Sequence, residues 1–160
     1  MAIKIGEKFP DTTLSFIVNN NVEKIDTNQM LKNKHIIIFG MPGAFTPTCS
    51  NHHIPSIIEQ LDNYKKLGVD DIFCLVVNDI YVTKVWADHT GATNSGLKVV
   101  SDPSGNLVQK IGMSFSAPDI GFFNRSIRFC MILKNGFVEN ILTENKRSSC
   151  DITSGKNILS

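Results

Sequence analysis

No Cys-x-x-Cys pair occurs in these 160 residues; Cys49, Cys74, Cys130 and Cys150 stand far apart. That spacing excludes the dithiol exchange motif and the usual zinc knuckle. Excess charge is equally scarce. Lys and Arg number 16 against 15 Asp and Glu, a formal net charge of +1, so neither nucleic acid nor an anionic membrane is an expected partner. The longest apolar runs, Ile36 to Phe39 and Phe129 to Leu133, fall far short of the roughly 18 residues that span a bilayer. No apolar leader precedes Ile3-Lys4-Ile5-Gly6. A cytoplasmic protein is the expectation, although an organellar one with its presequence removed would read the same. Internal repeats and low-complexity tracts are also missing.

What is present is an ordinary globular composition, 42% hydrophobic and 19% charged, over a length that suits a single domain spanning residues 1–160. Strand and helix patterns alternate, which predicts an α/β domain around one central sheet. Thr13 to Val18 and Val22 to Ile25 read as an N-terminal β-hairpin, and Asp26 or Thr27 as the cap of a short helix. Apolar strands are predicted at 35–40 and 72–77, a further one at 97–101, and a hairpin at 126–133 and 137–142 turned by Lys134-Asn135-Gly136. Ile54, Ile57, Ile58 and Leu61 recur at helical spacing, with Gly68 as a stop and Pro55 as a bend or restart. Asn78 or Asp79 caps a helix carrying Val82, Val85, Trp86 and His89 on one face; Thr90 to Gly96 reads as loop, and Ser104 to Ile111 as helix.

The chemistry concentrates between the strand at 35–40 and the helix after it, in Met41-Pro-Gly-Ala-Phe-Thr-Pro-Thr-Cys-Ser50. With Thr46 as N-cap and Pro47 in the first helical position, Cys49 falls in the first turn, where amide N–H groups and the helix dipole stabilise a thiolate. The string Pro42-Gly-Ala-Phe-Thr46-Pro-Thr-Cys49 resembles the Pro-x-x-x-Thr-x-x-Cys signature of the peroxiredoxins, in the wording of their atypical two-cysteine, type-five branch. Further matches follow in the family's order: Lys4 to Pro10, Val76-Val-Asn-Asp79 through Trp86, Ser101-Asp-Pro-Ser-Gly105, and Arg125-Ser-Ile-Arg-Phe129.

The resemblance implies a thioredoxin-like fold, a homodimer and a metal-free, cofactor-free reduction of hydrogen peroxide and alkyl hydroperoxides. Cys49 is then the nucleophile, oxidised to a sulfenic acid. Thr46 offers a hydroxyl to the peroxide, Pro42 stiffens the loop and excludes water, and backbone N–H groups near Gly43 and Cys49 hold the peroxide oxygens. The family match gives the peroxide-binding cation as Arg128. Regular strand alternation puts Arg128 with Ser126 and Cys130, and Arg125 on the opposite face, so Arg125 is expected to reach solvent.

Cys150, in a polar stretch without apolar periodicity, is expected to be exposed, and the resemblance makes it the resolving thiol for Cys49. Thioredoxin would recycle the disulfide. Because an open peroxide pocket is incompatible with a standing disulfide, local unwinding around Cys49 and 144–154 is expected. Cys130 is the rival within the chain; glutathione or glutaredoxin acting directly on Cys49 is the rival outside it. A redox sensor that hands its oxidation to a partner protein would use the same residues. Cys74 reads as an inert core thiol. His52 and His53 beside Cys49 lack a fourth ligand at suitable spacing for a metal and more simply shape the helix or a subunit contact. Ile120-Gly-Phe-Phe123 reads as an apolar loop forming a pocket wall or a dimer face.

Overall fold

Burial on both faces explains the two central strands. In the 35–40 strand, Ile36 and Ile38 point into one apolar core while Ile37 and Phe39 point into another. The 71–76 strand divides likewise, Phe73 and Leu75 against Ile72, Cys74 and Val76. A strand covered on both sides reads as an uninterrupted apolar run, which is how both appear in the sequence.

The computed structural model describes residues 1–159. Its strands are β1 (Thr13–Val18), β2 (Asn21–Asp26), β3 (His35–Gly40), β4 (Asp71–Val76), β5 (Lys98–Ser101), β6 (Ser114–Ala117), β7 (Phe122–Ser126), β8 (Phe129–Lys134) and β9 (Phe137–Thr143). Seven of them form one sheet in the order β2-β1-β5-β4-β3-β8-β9; β6 and β7 form a separate pair. β3, β4 and β5 are parallel and the flanking pairings antiparallel, so the sheet is mixed. The helices are α1 (Thr27–Leu31), α2 (Ile54–Ile58), α3 (Leu61–Lys66), α4 (Ile80–His89), α5 (Ala92–Ser95) and α6 (Asn106–Lys110). Met30 and Leu31 of α1 and Leu107 and Val108 of α6 fill one core. Residues of α2 to α5, including Ile54, Ile57, Tyr64 and Trp86, fill the other, together with Cys49.

Several local signals act as read. Asp79 caps α4, its Oδ1 accepting from the Tyr81 and Val82 N–H groups at 2.9 Å each. Gly68, at φ +86°, ends α3 in a Schellman arrangement, with Gly68 N–H donating to the Lys65 carbonyl and Val69 N–H to that of Tyr64. Asn135 and Gly136, both at positive φ, turn the β8–β9 hairpin.

Other readings need correction. Residues 92–95 are a short helix framed by Gly91 and Gly96 in left-handed conformations, not loop. The buried face of α4 is Thr83, Trp86 and Ala87, while Val82 and Val85 are exposed. The expected strand from residue 126 divides into β7 and β8, and the break at 127–128 reorients the chain. Ile120 and Gly121 are the turn of the β6–β7 pair, with Phe122 and Phe123 already in β7.

Candidate active site

Met41 N–H donates to the Leu75 carbonyl as β3 ends, and the chain then bends away from the sheet. Phe45 sits at φ +59°, an uncommon left-handed conformation for a bulky residue and a strain found mostly where geometry serves function. Thr46 starts the helix through its carbonyl, which accepts from Ser50 N–H at 3.0 Å. Its hydroxyl is not the expected cap: it donates to the Gly43 carbonyl at 2.7 Å, leaving its lone pairs free to accept. Cys49–His53 is a π-helical turn, with Ile54 N–H reaching the Cys49 carbonyl five residues back. Pro55, which has no N–H to give, follows this widened turn directly.

Cys49 is 0% exposed and belongs to the core cluster. The group that answers its burial is Arg128, itself 2% exposed. Arg128 Nη2 lies 3.4 Å from Cys49 Sγ and 3.5 Å from the Arg147 carbonyl, and Nη1 lies 2.9 Å from His53 Nδ1. Among the described residues Arg128 Nε is the one buried side-chain polar atom with no partner.

His53 is the site residue that sequence reasoning underestimated. It is buried, stacks edge-on against Phe39 and has Nε2 2.9 Å from the Thr153 carbonyl. A carbonyl only accepts, so Nε2 carries the proton and Nδ1 accepts from Arg128. Burial, and after it the Arg128 charge, pull the His53 pKa down from 6.5 to about 3. Its two nitrogens are thus committed to Arg128 and Thr153, not available as metal ligands. The legible signal was its position four residues after Cys49, on the same helix face.

Arg125 also turns toward the site, against expectation. Its Nη1 donates to the Pro42 carbonyl at 3.2 Å and lies 3.4 Å from Asn78 Oδ1, and its guanidinium covers the Phe122 ring at 4.7 Å. Strand alternation does not carry across 127–128, where the chain breaks between β7 and β8. Asn78 Oδ1 accepts from Ala44 N–H at 2.8 Å, and its own carbonyl accepts from Ser101 Oγ. Gly43 is required here: a Cβ on it would collide with Arg125 Nη1. Burial lowers the Arg125 pKa, and charge on Cys49 opposes that shift.

The segment carrying Cys150 is strapped across the Cys49 helix. Glu144 accepts from Asp151 N–H, Thr153 N–H, Thr153 Oγ1 and Ser149 Oγ at 2.7–3.1 Å. Burial pushes the Glu144 carboxyl up, but these hydrogen bonds outweigh it and hold it below its usual range. Thr48 Oγ1 donates to the Ser148 carbonyl, and Tyr64 Oη to that of Gly155. Cys150 is half-buried rather than exposed, and its thiol is pushed up to about 11, by burial first, with Arg128 opposing and Glu144, Asp151 and Cys49 reinforcing. All four cysteines are free thiols. Cys74 and Cys130, opposite Phe39 on its two neighbouring strands, are fully enclosed and raised well above the ordinary thiol range by burial.

A cavity of about 490 Å³ opens over the turn that leads into Cys49, lined by Pro42, Thr46, Pro47, Thr48, Phe115 and Phe122 among others, while Cys49 lies buried behind that wall. Another, of about 390 Å³, lies between the β1–β2 hairpin and α4 and touches none of the cysteines or arginines.

Comparison with known proteins shows the family of the chain. The Redoxin family model matches residues 4–159. Peroxiredoxin-2B of Arabidopsis thaliana is 39% identical over 132 residues, 82% of this chain and 81% of that protein. The hybrid peroxiredoxin hyPrx5 of Haemophilus influenzae is 37% identical over 139 residues, 87% of this chain but 57% of that longer protein. Among solved structures, reduced Prx3 of Vibrio vulnificus in complex with hydrogen peroxide superposes with a TM-score of 0.91 at 30% identity, covering 98% of this chain and 94% of that one. With its thioredoxin-like mixed sheet and a buried cysteine facing an arginine, the chain belongs to the redoxin family, as a type-five-like peroxiredoxin and thus a thiol-dependent peroxidase.

Proposed function

We propose that Cys49 is the peroxide-reducing sulfur, that Cys150 resolves its sulfenic acid and that thioredoxin reduces the resulting disulfide. The observation that carries the first step is the 3.4 Å approach of Arg128 Nη2 to Cys49 Sγ, behind a surface cavity walled by Thr46, Pro47 and Thr48 of the turn before Cys49. A guanidinium N–H there stabilises negative charge on sulfur and then on the departing oxygen. Unspent donors include Arg128 Nε and the Gly43 N–H, for which no acceptor is found among the described residues. They hold the peroxide oxygens, while the Thr46 hydroxyl, which donates its hydrogen bond to the Gly43 carbonyl, accepts a hydrogen bond from the peroxide. Pro42 and Pro47 keep the entrance apolar and poor in water.

Resolution requires Cys150 to approach to disulfide distance, with Cα atoms within roughly 7 Å. Cys49 is fully buried and the 144–155 strap is tied by Glu144, Thr48 and His53, so both segments unwind for that step. Until they do, a thiol raised to about 11 supplies little thiolate. This barrier favours the competing reading, in which glutathione or glutaredoxin reduces Cys49 directly or a partner protein receives its oxidation. Phe45 and Phe123, at 52% and 64% exposure, are the residues we assign to a homodimer contact, and the reducing cytoplasm is the compartment we assign to the enzyme. Cys150→Ser separates the readings: it should retain the first peroxide turnover and lose steady-state cycling with thioredoxin. Undiminished cycling would assign recycling to a donor acting on Cys49 itself.

A further inference from the structure

The cavity over the turn before Cys49 is much larger than hydrogen peroxide, a molecule little bigger than the water that occupies about 30 Å³ of liquid; its volume is about 490 Å³. Its walls include Phe115, Ile120 and Phe122, which suit the body of an organic hydroperoxide. At its rim stands a cation. The Arg147 guanidinium lies over the Phe115 ring at 5.0 Å, while the Arg147 carbonyl accepts from the same Arg128 nitrogen that faces Cys49. None of the ion pairs formed among the described residues includes Arg147. Glu144 is committed to the strap, and Asp119, on the turn before Ile120, is exposed and unpaired with Arg147.

An uncompensated guanidinium over an aromatic wall, next to a peroxide-reducing sulfur, recognises an anion joined to an apolar body. We infer that Arg147 makes this enzyme selective for organic hydroperoxides bearing a carboxylate, whose hydrocarbon lies along Phe115, Ile120 and Phe122 while the hydroperoxyl group reaches Cys49. This rests on Cys49 being the reactive thiolate. In the step itself the sulfur attacks the terminal oxygen, an S–O bond forms and the O–O bond breaks. Cys49 becomes the sulfenic acid, and the hydroperoxide leaves as an alkoxide that takes a proton from solvent to give the alcohol. The carboxylate is a handle and is unchanged.

The test is the rate constant for Cys49 oxidation in the reduced full chain with linoleic acid hydroperoxide and with its methyl ester, both below their micelle concentrations. The acid should react roughly three- to tenfold faster at low ionic strength, an advantage that salt erodes. The ratio should fall to about one in Arg147→Gln and below one in Arg147→Glu, and persist in Lys146→Gln, where the charge removed belongs to a neighbouring exposed residue. A uniform slowing of a variant leaves such a ratio unchanged, so the readout is specific to selectivity. A ratio near one in the native chain, or one preserved in Arg147→Gln, overturns the inference. If hydrogen peroxide oxidises Cys49 while the ratio is one, only the role of Arg147 falls; if no hydroperoxide oxidises Cys49, the reading of the site falls with it.

Discussion

Acid should destabilise this protein through His53 more than through a glutamine at the same place. The imidazole is buried, accepts from Arg128 and donates to Thr153, and its pKa is lowered from 6.5 to about 3, by burial first and Arg128 second. In the unfolded chain the group keeps its ordinary value near 6.5. Between those values the unfolded state binds a proton that the folded state refuses, so stability falls as pH falls. The contribution is fully present above pH ~6.5 and is lost progressively toward pH ~3. Between pH 7 and pH 4 the loss is roughly 3 kcal/mol, from about 2.5 pH units at 1.36 kcal/mol each. With urea slopes of about 1–3 kcal/mol per molar, the midpoint moves by at least about 1 M. His53→Gln retains an acceptor for Arg128 and a donor for Thr153 but has no proton to gain. Urea unfolding of both proteins at pH 7, 6, 5 and 4 therefore isolates the imidazole, because titrating carboxylates common to both cancel. The stability of the native chain relative to the variant should fall by roughly 3 kcal/mol across the series. Parallel curves would refute the neutral, doubly bonded His53.

Arg128→Ala removes a charge-assisted hydrogen bond to sulfur worth about 1.5–3 kcal/mol, so Cys49 oxidation should slow by about one to two orders of magnitude. Stopped-flow fluorescence can follow it, because Trp86, the chain's one tryptophan, donates to Ser50 Oγ beside Cys49; a native rate would make Arg128 structural. Gly43→Ala and Arg125→Ala should each slow the same step roughly three- to tenfold, through loss of the guanidinium's hold on Pro42. Because the added Cβ acts by displacing Arg125, the double variant should be no slower than either single one, and additive effects would separate the two residues.

Those tests draw on parts of the molecule that differ in how far the sequence discloses them. β3, β4, the Asp79 cap, the Gly68 stop and the Asn135-Gly136 turn rest on local physics: apolar runs, a short acceptor side chain, positive φ. They appear where that physics puts them. Cys49 and Arg128, 79 residues apart, are brought together by the pairing of β3 with β8, which no local pattern specifies. The resemblance supplied the role of Arg128 but not the strand pairing that brings it to Cys49. Arg125 escaped because period-two alternation applies only within an unbroken strand, and the chain changes sheets between β7 and β8. Asn78 was legible only as a possible helix cap, yet its side chain turns back to the 42–44 loop. The strap over the helix depends on Glu144, an ordinary surface glutamate in sequence whose acceptor role exists only once residues 149–153 fold around it.

The two-cysteine cycle of Cys49 and Cys150 is tested most directly by one equivalent of hydrogen peroxide on the reduced protein, followed by intact mass and non-reducing peptide mapping. The expected result is loss of two hydrogens, with one crosslinked pair containing Cys49 and Cys150. A gain of one oxygen on Cys49 with Cys150 free would contradict resolution within the chain, and an unmodified Cys49 would contradict its role as the peroxide-reducing sulfur.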